Sequence, residues 1–108
     1  MAADARAIDG DVADAVAALE RRYEGLKKKA TAVYEAKLVM ARNAVKRAER
    51  TGDGNVDALR GETRALEARR DAALVDLDDE LTRESGKTRE EMEAEAREES
   101  VRRERAEL

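Results

Sequence analysis

Cysteine, proline, histidine, phenylalanine and tryptophan are absent from the chain, and its only aromatics are two tyrosines among 108 residues. Each absence excludes something. Without cysteine there is no disulfide staple and no thiolate metal site. Without histidine as well, a transition-metal site would have to be built from carboxylates alone, and the two most versatile catalytic side chains are missing. Without proline nothing forces a kink inside a helix. Strand formers are sparse: the aromatics are Tyr23 and Tyr34, and the one isoleucine is Ile8. No apolar run approaches the roughly 20 residues of a membrane-spanning helix. Residues 1–10 lack the basic start and apolar stretch of a signal peptide. These absences together lead to an expected cytoplasmic location.

What is present points to helix. Charged residues make up 44% of the chain, and 22 positions are alanine, the strongest helix former but a poor contributor to burial. Such a composition with helical periodicity signals a long helix or coiled coil. A chain this short fits one domain at most. The net charge of −4 argues mildly against general affinity for nucleic acid or anionic membranes.

Along the chain, residues 1–10 read as a flexible N-terminal arm, with Asp11 as an N-cap and Asp14 well placed near the positive end of the helix dipole. From there apolar or small residues recur in steps of three or four at Val12, Val16, Leu19, Tyr23, Leu26, Ala30, Tyr34, Leu38, Ala41, Val45 and Ala48. That spacing keeps them on one face of a helix spanning 11–50. Four-residue steps from Leu26 to Leu38 insert a stutter, which locally unwinds a left-handed supercoil.

The segment 51–55 carries Gly52, suited to a left-handed position after a helix, and Asp53 or Asn55, able to cap the next one. A connection this short makes its two helices antiparallel neighbours. The second helix, 55–84, places Val56, Leu59, Leu66, Leu74, Leu77 and Leu81 on one stripe, with Ala73 beside them; Thr63 and Arg70 interrupt it. Charge favours the same hairpin, since residues 27–50 hold eight basic and two acidic side chains and residues 53–84 hold five basic and ten acidic. Opposite charges flanking an apolar seam set partner and orientation more than stability.

A further break is offered by Ser85-Gly86-Lys87-Thr88, where Thr88 and Glu91 fit a capping box. Residues 85–108 then form a charged helical tail, or else continue the second helix to about residue 107. The fold class expected is all-α: an antiparallel helical hairpin or coiled coil of two long helices with a charged C-terminal helix or extension.

Motifs that would carry chemistry fail on inspection. The Ser85-Gly86-Lys87-Thr88 stretch resembles the end of a phosphate-binding loop, but the required earlier glycine is Leu81. Asp53, Asn55 and Asp57 have the opening spacing of a calcium loop, but its glycine is Ala58 and its closing glutamate is Arg64. Asp76, Asp78, Asp79 and Glu80 are too closely spaced on a helix to converge on one ion. A thin hairpin offers no partly dry pocket for catalysis. No enzyme activity, cofactor, metal or small-molecule substrate is expected, and no membrane partner, because the apolar stripe is poor in bulky residues.

An alanine-rich seam buries too little to hold a lone hairpin comfortably. The expected role is a structural or assembly module (scaffold, spacer or adaptor) acting through helix–helix contacts with itself, as a homodimer or higher oligomer, or with a helical protein. The seam residues Val12, Val16, Leu19, Tyr23, Leu26, Tyr34, Leu38, Val45, Val56, Leu59, Leu66, Leu74, Leu77 and Leu81 would carry it. The alternative is a small nucleic-acid-associated protein using the basic face Lys27, Lys28, Lys29, Lys37, Arg42, Lys46, Arg47 and Arg50, although no aromatics interleave for base stacking.

Overall fold

The computed structural model describes residues 2–52 and 54–107, with side chains from Ile8 onward. Two helices account for nearly all of it: α1, Ala2–Thr51, and α2, Val56–Glu107. The fold is all-α, an antiparallel helical hairpin. Alanine and straight-chain charged residues, which lose little rotamer freedom in a helix, dominate both elements.

The turn between the helices follows local chemistry. Gly52 takes φ +68°, the left-handed conformation that ends a helix and that a Cβ disfavours. The Asn55 carbonyl accepts the Leu59 amide at 3.0 Å, which opens the hydrogen-bond ladder of α2. Thr51 Oγ1 donates back to the Arg47 carbonyl at 3.1 Å in the last turn of α1. The alternative capping residue, Asp53, lies outside the described residues.

Both helices are longer than their capping signals suggested. α1 begins at Ala2 and runs through Asp9-Gly10-Asp11, where a start was expected. α2 runs through Ser85-Gly86-Lys87-Thr88 without a break, so the continuous alternative holds. The reason is the same at both places. A single interior glycine costs about 1 kcal/mol relative to alanine, and without proline no amide is lost from the ladder.

The chain divides into two compact units, Met1–Tyr23 with Asp79–Leu108 and Glu24–Asp78. In the second unit the helices are bridged by Lys27–Asp78, Arg70–Glu35 at 2.9 Å, Arg42–Glu67 at 3.5 Å and Arg60–Glu49 at 2.7 Å. Partner numbers fall as α1 numbers rise, which is the antiparallel register. In the first unit Tyr23 hydrogen-bonds Glu84, and Ile8 and Asp9 share a groove with Glu93, Ala96, Arg97 and Ser100, the same sense of pairing.

The seam between the helices is thin. Among the described residues only Val12, Tyr23, Leu38, Ala48 and Thr63 are buried, and Leu38 alone is fully enclosed. No described helix is long and apolar enough to cross a membrane.

Candidate functional site

The candidate surfaces are the seam and the basic face of α1. Of the seam residues expected from periodicity, Val12, Tyr23 and Leu38 are buried. Val16, Leu19, Tyr34, Val45, Val56, Leu59, Leu66, Leu74, Leu77 and Leu81 are half-buried. Leu26 is the exception, at 37% exposed. Lys27 beside it is covered to a similar degree, and its ammonium bridges to Asp78.

On α2 the two residues read as interruptions belong to the seam. Thr63 is the most buried residue of α2, at 9% exposed, and its hydroxyl donates to the Leu59 carbonyl at 3.0 Å, so no polar atom is stranded. Arg70 is three-quarters covered and reaches Glu35 across the seam and Asp71 beside it at 3.1 Å. Hydrogen bonds to Asp71 and then Glu35 hold its guanidinium above its ordinary pKa, against the opposing effect of burial. Farther on, Ser85, Thr88 and Met92 continue the half-buried line. A hydrophobic count misses such positions because they are amphipathic: each covers apolar surface while its polar atom finds a partner.

The cross-seam ion pairs contain a reversal. Two run from basic α1 to acidic α2, Lys27–Asp78 and Arg42–Glu67. Two run the other way, Arg70 to Glu35 and Arg60 to Glu49. Glu35 and Glu49 are the only acids between residues 27 and 50, so both are drawn inward by α2 arginines. Glu49 holds the Arg60 guanidinium above its ordinary pKa, chiefly through that hydrogen bond.

The remaining basic residues of the stretch, Lys28, Lys29, Lys37, Lys46, Arg47 and Arg50, are exposed. Lys28 lies 3.6 Å from Glu24 on its own helix, and the Lys37 ammonium sits 5.6 Å from the centre of the Tyr34 ring. None of the six bridges to α2 among the described residues. Folding therefore neutralises the inner edge of α1 and leaves its outer edge positive.

That outer edge also carries apolar side chains that the seam does not use. Val33 is 54% exposed and Met40 74% exposed. With Leu26 they form a series at seven-residue spacing, two helical turns apart, and so share one line along the helix. Periodicity misses this line because a second apolar stripe, about half as dense as the first, is not distinguishable from scattered surface residues until burial is known.

No family model, no curated relative and no solved structure matches the chain.

Proposed function

We propose that the chain is a structural or assembly module, a scaffold, spacer or adaptor that works through helix–helix contacts and has no catalytic activity. One observation carries this. Two helices of 50 and 52 residues enclose only five described residues, one of them alanine and one threonine. Ordering each residue costs about 1–2 kcal/mol of backbone entropy, and so slender a seam offsets it poorly. The hairpin gains stability by placing a further helical surface against itself, from a second copy or a helical partner. A cytoplasmic setting belongs to this proposal.

Sedimentation velocity over a hundredfold concentration range, read for mass and frictional ratio together, tests it. Self-association of an elongated, helical species is the expected result. A well-folded monomer with cooperative unfolding at every concentration would overturn it, because the hairpin would then need no partner.

A second function is favoured by a separate observation, the six exposed cations of residues 27–50 that do not bridge to α2 among the described residues. They suit a phosphate backbone, with affinity falling steeply as salt rises. Retention of a short DNA duplex at low salt, lost on adding salt, tests it; no retention at low salt removes it.

A further inference from the structure

The outer edge of α1 between Leu26 and Arg50 is an unpartnered helix face. It is apolar along its middle, through Leu26, Val33 and Met40, and flanked by Lys29, Lys37 and Arg47, while Lys28 pairs with Glu24. A surface of this chemistry fits an acidic helical partner, whose carboxylates would flank the stripe while apolar atoms cover it.

This chain carries such a partner surface itself. Residues 8–20 contain Asp9, Asp11, Asp14 and Glu20 and no base, and residues 90–99 contain six glutamates and one arginine. The antiparallel register places these two acidic stretches side by side, where Asp9 and Glu93 line one groove together with Ile8, Ala96, Arg97 and Ser100. Every ion pair there among the described residues runs along α2 at i,i+4, as in Lys87–Glu91, Arg102–Glu98 and Arg103–Glu99. Arg97 lies in the same groove, Glu91, Glu98 and Glu99 pair along α2, and Asp9, Asp11, Asp14, Glu20, Glu93 and Glu95 are exposed. Exposed carboxylates at this density favour docking of a cationic surface.

Building on the assembly role proposed above, we infer that the occupant of the α1 outer face is a second copy of this chain, docked through its acidic end. Lys29, Lys37 and Arg47 of one copy meet the carboxylates of residues 8–20 and 90–99 of the other. Part of the line through Leu26, Val33 and Met40, which spans about 21 Å, lies against the groove that holds Ile8 and Ala96. The contact joins unlike surfaces. Both surfaces belong to every copy, and their excess charges are opposite, +6 in residues 27–50 against −4 and −5 in the two acidic stretches.

A charge-swap experiment on the full chain tests this. One variant carries Lys29→Glu, Lys37→Glu and Arg47→Glu; a second carries Asp14→Lys, Glu93→Lys and Glu95→Lys. All six positions are exposed, and circular dichroism checks that helicity is kept. Each variant alone is expected to self-associate at least tenfold more weakly than the parent in sedimentation velocity, and an equimolar mixture is expected to recover parental assembly. Independently of any variant, parental association should weaken at least tenfold between about 20 and 500 mM salt, as the screening length shrinks. If both variants assemble as well as the parent, this docking face is wrong while the assembly role stands. A parent that stays monomeric at low salt yet binds a DNA duplex would overturn the inference and assign the face to nucleic acid.

Discussion

Arg70 donates to Glu35 at 2.9 Å, a basic residue of the more acidic helix reaching an acid of the more basic one. The pair runs against the overall charge blocks and sits at the seam, with Arg70 three-quarters covered and Glu35 also 3.9 Å from Arg42. A double-mutant cycle with Glu35→Ala and Arg70→Ala should give a small favourable coupling in urea unfolding, as for a partly exposed pair. Exchanging the two, Glu35→Arg with Arg70→Glu, should recover part of the loss of Arg70→Ala. Strict additivity in the cycle would show that the bridge contributes nothing.

Leu38 and Leu26 are both leucines of the same helix, one fully enclosed and the other 37% exposed. Leu38→Ala should destabilise the hairpin by about 2–4 kcal/mol, through lost burial and a void in a seam with few neighbours to fill it. Leu26→Ala should cost less than about 1 kcal/mol of fold stability. Thr63→Val should be neutral or stabilising by up to about 1 kcal/mol, since it adds a methyl to a covered site and gives up only a bond to a helical carbonyl. Thermal melts of the three variants at one protein concentration rank them. Equal losses for Leu38→Ala and Leu26→Ala would contradict the burial pattern.

Glycine positions separate by conformation. A Cβ at Gly25, Gly61 or Gly86 meets nothing within 4 Å, and each lies inside a helix. Alanine at each should stabilise by about 0.5–1 kcal/mol. Gly52, at φ +68°, should behave oppositely, with Gly52→Ala costing about 1 kcal/mol through strain at the turn. Melting temperatures that rise for the first three and fall for the fourth are the expected pattern.

Tyr23 links stability to pH. Burial raises its phenol above the ordinary value of about 10, helped by its hydrogen bond to Glu84 and by the negative charges of Glu84 and Glu80, while Arg22 opposes. A raised folded-state pKa means that the folded chain holds the proton more tightly. The associated stability is fully present below pH 10 and is lost as pH rises through the folded value. Urea midpoints measured from pH 8 to 11 should therefore fall at the alkaline end, and Tyr23→Phe should flatten that part of the fall. An unchanged alkaline slope in Tyr23→Phe would remove the linkage.

Much of the fold was legible in the residues. The Gly52 turn, the three-and-four spacing from Val12 to Ala48 and the stripe from Val56 to Leu81 are local patterns, and they led to two antiparallel helices. Helix ends were read less well. Asp11 and Thr88 have capping chemistry, but a cap offers only about 1 kcal/mol, and an alanine-rich chain without proline extends through it. The partial burial of Lys27, Thr63 and Arg70 was missed for a different reason. Periodicity ranks residues by apolarity, whereas a shallow seam accepts long or small polar side chains whose polar atoms reach a partner at its edge.

The residues by themselves determined that this chain is helical, where it turns and which way its helices run, because propensity, glycine at the turn and short connections act over a few residues. Only the tertiary structure decided how the charges are spent. Pairing α1 with α2 draws Glu35 and Glu49 inward to Arg70 and Arg60, leaves the outer edge of α1 positive, and sets Asp9 in one groove with Glu93. Those relationships join residues far apart in the chain, and their electrostatic consequence depends on which edge of each helix faces its neighbour.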